Sequence, residues 1–223
     1  MSFSQRLIVG TLKAITSLIC CIDDADLERV PPHGPLMIYT NHVNILEIPI
    51  IYTRLQPRQV HGLVLAERWD NPLLRWMLDA TQTIPIHRQA ADIAAVHRGL
   101  DVLAKGDILV IAPEGTRSHD GVLGSAQPGV VLLALHSCAP LLPMAYFGAE
   151  RYKENLRRLK RTDFHLRLGK PFHLETHGEK ITRLVRGQML QEMMLQLAGL
   201  LPPQFRGKYV DLSMATQNYL NFE

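Results

Sequence analysis

The stretch Ile108-Leu-Val-Ile-Ala-Pro-Glu-Gly-Thr-Arg-Ser118 decides how the chain is read. Its first five residues are continuously apolar, the pattern of a strand buried on both faces rather than one with a wet side. Pro113 ends that strand, because it has no N–H to give to a ladder. A polar turn comes next. Gly115 permits close backbone approach, Thr116 and Ser118 bring hydroxyls, and Arg117 carries a guanidinium that can fork onto a phosphate.

Working outward, strands and helices alternate. Residues 36–39 read as a short buried strand after the turn-rich Val30-Pro-Pro-His-Gly-Pro35. Residues 45–55 form a helix in which Pro49 is tolerated if it lies in the first turn. Residues 60–66 read as a strand, Asn71-Pro72 opens a helix, residues 83–86 form a strand, and residues 91–104 form a helix. Beyond the polar turn come a helix over 130–137, a strand over 141–147, an alternating half-exposed strand over 163–169, and a helix over 179–201 stopped by Pro202-Pro203. This alternation predicts an α/β fold with a central mixed sheet flanked by helices.

Composition agrees with such a fold. The 223 residues are 47% apolar, 20% charged and 6% aromatic, which excludes a disordered chain, a collagen-like repeat and a disulfide-stapled miniprotein. Lys and Arg total 24 against 21 Asp and Glu, too small an excess to indicate a nucleic-acid partner. The charge is uneven, however. Residues 1–112 hold ten basic and eleven acidic groups, and residues 113–223 hold fourteen and ten, so an anionic partner is expected at the second half. Cys20, Cys21 and Cys138 form no Cys-x-x-Cys, so neither zinc nor thioredoxin-type chemistry is supported, and reduced thiols in a cytosolic compartment are expected.

Residues 7–22 are mostly apolar but fall short of the roughly 20 residues a spanning helix needs, and Lys13 sits near their middle. There is no Ala-x-Ala cleavage signal. Ile8, Leu12, Ile15, Ile19 and Ile22 recur at 4-3-4-3 spacing, which predicts an amphipathic helix over 1–22 ahead of a domain over 23–223. Two readings stay open for it. The helix packs on the core, or it lies in a membrane interface with Arg6 and Lys13 near the headgroups. The pair Cys20 and Cys21 also offers acylation sites.

The segment Asn41-His-Val-Asn-Ile-Leu-Glu47 leaves a strand and enters a helix, where polar groups reach the rim of an α/β sheet. A His beside a carboxylate is a general base, because the carboxylate sets the tautomer and stabilises the imidazolium. Spacing alone is weak evidence. About one His-x4-acid pair is expected by chance, and His42/Glu47 and His87/Asp92 both occur. Along an ideal helix five residues leave two side chains about 140° apart. His42 and Glu47 can therefore meet only if His42 precedes the helix and Glu47 lies in its first turn.

Together these motifs resemble the glycerolipid acyltransferases, which include the 1-acylglycerol-3-phosphate O-acyltransferases. Asn41 to Glu47 resembles the first block of that family and Pro113 to Ser118 the third, about 70 residues on. Ile84-Pro-Ile-His-Arg88 resembles the second block, and Leu141-Leu-Pro143-Met-Ala-Tyr the fourth. The resemblance covers roughly residues 30–209, including Arg167-Leu-Gly-Lys-Pro171 and Leu200-Leu-Pro-Pro-Gln-Phe-Arg-Gly-Lys-Tyr209. One departure is Glu47, where most members carry Asp. The resemblance implies a glycerol-3-phosphate acyltransferase-like fold and transfer of an acyl group from a thioester to a lysophospholipid hydroxyl, most simply giving phosphatidic acid. It implies His42 as base and Glu47 as its orienting carboxylate. Arg88 and Arg117 are implied as phosphate ligands, Gly115 as the point of close approach, and Glu114 and Thr116 as positioning groups. Pro143 is implied to shape a substrate pocket, and Asn41 to brace the loop. No metal and no cofactor are implied beyond the acyl-CoA or acyl carrier protein thioester as co-substrate. The partners are then lysolipid, thioester and a membrane surface, with the protein peripheral at the cytoplasmic face of the cell membrane. An acyl-thioester hydrolase and a catalytically weak lipid-binding homologue remain as alternatives. His87 reads as incidental beside Arg88. Trp69, Leu73, Leu74, Trp76 and Met77 read as core, and the six basic residues within 151–161 as a solvated face or a site for lipid headgroups, coenzyme A phosphates or an acidic carrier protein.

Overall fold

The computed structural model describes residues 3–87, 93–118 and 120–222, which form one mixed sheet of nine strands with helices on both faces. Strand β2 (Leu36–Thr40) is buried throughout and pairs in parallel with β5 (Ile108–Ile111) on one side and β6 (Leu141–Phe147) on the other. The side-chain period of two divides their residues between two cores. Leu36, Ile38, Ile108, Leu142 and Met144 point to one, which is covered by α1 (Phe3–Ile19) and α2 (Glu47–Arg54). Met37, Tyr39, Leu109, Leu141 and Ala145 point to the other, covered by α4 (Ile93–Ala104), α5 (Gly129–Ser137) and α7 (Arg183–Gly199). The continuous apolar runs of the sequence are central strands for this reason.

Beyond β5 lie the parallel strands β3 (Val60–Leu65) and β4 (Ile84–Ile86), joined by α3 (Pro72–Ala80). Beyond β6 the direction reverses. Strand β7 (Thr162–Leu168) follows the short helix α6 (Tyr152–Arg157), runs antiparallel to β6, and takes β1 (Cys20–Asp23) in parallel on its far side. The short strands β8 (Phe172–Leu174) and β9 (Leu220–Phe222) complete the sheet. The C-terminal ends of β2, β5 and β6 therefore share one edge with the N-terminal ends of β7 and β1. This edge is where an α/β sheet of this kind places a site.

The N-terminal helix is shorter than expected. It ends at Ile19, and residues 20–22, expected to continue it, belong to β1 of the main sheet. Of its predicted stripe, Ile19 packs on the core while Ile15 is exposed. Val9 and Ile19 pack on the core with α2, Thr16 is buried with its hydroxyl on the Leu12 carbonyl at 2.9 Å, and Arg54 donates to Ser17 Oγ at 2.9 Å. The outward face carries Leu7, Ile15 and Leu18, which are 63%, 49% and 74% exposed. No described helix is long and apolar enough to cross a membrane. A second correction concerns the expected core cluster near α3. Leu78 is the residue turned into the core, while Trp76 is exposed and Trp69 donates its indole N–H to Asp79 at 2.8 Å.

Candidate active site

Strand β2 ends at Thr40, and the chain then loops for six residues before Glu47 opens α2. Pro49 lies in the first turn, where its missing N–H costs nothing. This start lets the Glu47 carboxylate fold back over the loop. Its Oε2 meets His42 Nδ1 at 2.7 Å, and its Oε1 accepts the backbone N–H groups of Val43 and Asn44, both at 2.7 Å. Glu47 is 3% exposed, and these three donors compensate its desolvation. The network assigns the imidazole proton to Nδ1, because a carboxylate can only accept. The Nε2 lone pair then faces outward. It accepts from Arg117 Nε at 3.3 Å, and a guanidinium can only donate.

The polar turn after β5 is locked to the same loop. Ser118 N–H donates to the His42 carbonyl at 2.7 Å, and the Glu114 carboxylate accepts from His42 N–H at 3.1 Å and from Gly124 N–H at 2.7 Å. Burial pushes the Glu114 carboxyl above its ordinary value, against the opposing pull of those two backbone donors. Gly115 adopts φ +68°, left-handed backbone that a side chain would strain, and so turns the chain toward the site.

These groups open onto a cavity of about 730 Å³, within the usual range for ligand sites. Near its polar end stand His42, Glu47, Gly115, Thr116 and Arg117, and its apolar wall includes Ile51, Leu63, Val110, Ile111 and Leu133. Among the described residues no group of three or more His, Cys, Asp or Glu could hold a metal ion.

The structure thus brings His42, Glu47, Gly115, Thr116 and Arg117 together at the cavity, while Asn41, braced as expected, and Glu114 and Pro143 do not line it. Asn41 is fully buried, and its amide makes paired 2.8 Å bonds with the N–H and C=O of Tyr146, extending the β2–β6 ladder by one step. Glu114 gives both oxygens to backbone amides. Pro143 sits inside β6, its carbonyl accepting Gly169 N–H at 3.0 Å, and a Cβ on Gly169 would lie 2.5 Å from its ring. All three hold segments in place away from the cavity wall. Arg88 and Asp92 fall outside the described residues.

Other groups on the cavity wall escaped the sequence reading. His87 lines the cavity, as do Thr81, Thr83, Gln127 and Arg68. Arg68 was within reach of the rule that α/β sites gather after the C-terminal ends of strands, since it lies three residues past β3. The Thr81 and Thr83 hydroxyls bond each other at 2.7 Å, and Gln127 N–H bonds Pro113 O at 2.8 Å. No local signal distinguishes these from ordinary polar residues.

Comparison with known proteins gives a consistent result. The acyltransferase family model matches residues 21–147, more than half of the chain. The 1-acyl-sn-glycerol-3-phosphate acyltransferase of Bacillus subtilis is 26% identical over 164 residues, covering 74% of this chain and 80% of that protein. The chloroplastic 1-acyl-sn-glycerol-3-phosphate acyltransferase BAT2 of Brassica napus is 27% identical over 56% of this chain and 37% of its own length. Among solved structures, the 1-acyl-sn-glycerophosphate (LPA) acyltransferase PlsC of Thermotoga maritima shares the fold, with a TM-score of 0.63 at 19% identity over 88% of this chain and 78% of that one. The α/β sheet with its N-terminal helix, the paired loops at one sheet edge and the family match agree: this chain belongs to the acyltransferase family.

Proposed function

We propose that the protein transfers a fatty acyl group from an acyl thioester to the free hydroxyl of 1-acylglycerol-3-phosphate, forming phosphatidic acid in phospholipid synthesis. The observation that carries this reading is the His42 Nε2 lone pair, oriented by Glu47 and aimed into an apolar cavity with a guanidinium at its side. His42 Nε2 takes the proton of the acceptor hydroxyl as its oxygen bonds the thioester carbonyl carbon. The tetrahedral intermediate collapses with cleavage of the C–S bond, and the imidazolium returns the proton to the departing thiolate. Glu47 stabilises the imidazolium through Nδ1.

Arg117 has a double part in this scheme. Without acceptor it occupies the lone pair that the hydroxyl needs. The acceptor phosphate, with two oxygens for the guanidinium fork, draws it off Nε2 and leaves the base free. Arg68, exposed on the cavity wall with no ion pair among the described residues, supplies a second cation. The apolar wall takes acyl chain. Attachment at the cytoplasmic membrane face rests on Leu7, Ile15 and Leu18 of α1 with Arg6 and Lys13 beside them.

The test is a purified-enzyme assay that crosses acyl-CoA and acyl carrier protein thioesters with several lysolipids. Transfer to 1-acylglycerol-3-phosphate above other acceptors is expected. Thiol release independent of any acceptor would instead mark a hydrolase. Lysolipid binding with no transfer would mark a binding homologue.

A further inference from the structure

The segment 151–161, between β6 and β7, holds six basic residues in eleven, and the reaction above uses none of them. Helix α6 closes in a turn where Leu159 N–H bonds Leu156 O at 3.1 Å and Lys160 N–H bonds Asn155 O at 2.9 Å. Leu159 takes φ +52° there, the left-handed position that glycine commonly fills at a helix end. It is nevertheless a leucine, and 94% exposed. A side chain so exposed adds no packing, and its backbone is strained, so folding does not account for it. Leu156, half exposed, lies one turn away.

The charges around this tip divide into two sets. Arg158 is paired with Glu154 at 2.9 Å, and Arg161 donates to the Ser17 carbonyl at 2.8 Å. Arg151, at the start of the segment, and Lys153, Arg157 and Lys160 have no ion pair among the described residues. The Arg161 bond sets the loop against the C-terminal end of α1, next to exposed Leu18. The loop also leaves β6 and enters β7 at the sheet edge that carries His42, and Asn44 of the catalytic loop donates to Ala149 O at 2.9 Å just ahead of it.

We propose that the 151–161 loop is a second membrane contact. Leu156 and Leu159 enter the bilayer while Lys153, Arg157 and Lys160 meet anionic headgroups, so that the edge carrying His42 is presented to the membrane. Charge complementarity points to an anionic lipid surface as the occupant. A lone leucine at the tip of a turn offers a folded protein little contact area, whereas it can enter lipid. The inward stripe of α1 is already covered by the domain, leaving one outward apolar strip, and stable peripheral attachment generally takes two signals. The inference rests on the lipid-substrate reading above only for its purpose; the contact itself is measured apart from activity.

The experiment is sedimentation of the full chain with phosphatidylcholine vesicles, with and without phosphatidylglycerol. The triple variant K153Q/R157Q/K160Q should lose about a hundredfold in affinity for the anionic vesicles, roughly fivefold for each cation, with little change toward neutral ones. Leu159→Gly relieves the strained backbone, so its fold should hold, yet its vesicle affinity should fall about tenfold through the lost apolar burial. Both variants should keep the parent's transfer to a short-chain acceptor soluble as a monomer. If the parent itself lacks that transfer, the reaction reading fails while the vesicle result stands. Parental vesicle binding in both variants overturns the proposal. So does a loss confined to reaction with a carrier-protein thioester, which would assign the loop to an acidic protein.

Discussion

Replacing Arg117 separates acceptor binding from chemistry. Its guanidinium contacts His42 Nε2 at 3.3 Å, at the end of a turn fixed by the bonds of Glu114 and Ser118 to the His42 backbone. From there it can hold two phosphate oxygens at once, which a lysine ammonium cannot do in the same fork. Losing one charge-assisted contact costs about 1.5–3 kcal/mol, or roughly ten- to a hundredfold in binding. Arg117→Lys is therefore expected to raise KM for the phosphate-bearing acceptor by that factor and to leave KM for the thioester nearly unchanged. The assay is steady-state kinetics with each substrate varied at saturating levels of the other, since loss of ground-state binding to one substrate appears in its KM alone. A lysolipid analogue without phosphate is the control. Because Arg117 then has nothing to draw it away from Nε2, Arg117→Ala should use this analogue at least as fast as the parent. A rise in the donor KM alone would refute the reasoning and assign the turn to the coenzyme phosphates. Slower turnover of the phosphate-free analogue by Arg117→Ala would show that the guanidinium does not obstruct the base.

Glu47→Gln offers one carbonyl where the carboxylate serves three donors, and it carries no charge for the imidazolium; kcat should fall tenfold or more, about 1.4 kcal/mol or above, with Glu47→Asp retaining part of the activity. His42→Ala should abolish transfer in a folded protein, whereas His87→Ala, at the cavity wall, should keep most of it; circular dichroism and turnover together decide. Glu114→Gln should lower stability by about 1–3 kcal/mol, because His42 and Gly124 bond to different carboxylate oxygens and the glutamine NH2 would face one of these donors. Burial raises the Glu114 carboxyl, so the native state holds that proton more tightly than the unfolded chain does. Its contribution is full below the ordinary glutamate range and declines as pH rises through the raised value. Denaturant melts should thus find the gap between parent and Glu114→Gln wider in acid than at neutrality. Deleting residues 1–22 would remove most of β1 and uncover the core. The double variant Leu7→Glu and Leu18→Glu tests the outward face of α1 instead, and should weaken vesicle sedimentation without lowering Tm.

Much of this molecule was legible along the chain. The buried run before Pro113, the alternation of strands and helices, and the Pro49 signal for a late helix start are local properties. Periodicity and backbone chemistry express them before any folding. The same signals place His42 in the turn and Glu47 in the first helical turn, which is all their contact requires. Long-range pairing decided the rest. Asn41 and Glu114 look like site residues because they adjoin His42 and Arg117. Their polar atoms are taken up by backbone groups of Tyr146, Gly124 and His42, up to 105 residues away, and nothing local records such a demand. Strands β1, β8 and β9 are three or four residues long, too short to show a period, and exist through the neighbours that accept their hydrogen bonds. The N-terminal helix makes the point most clearly. Apolar residues occur around much of its circumference, so spacing alone could not say which side is covered. Docking on α2 turned Val9, Thr16 and Ile19 inward and left Leu7, Ile15 and Leu18 outside, because burial belongs to the pair of surfaces in contact and not to either sequence alone.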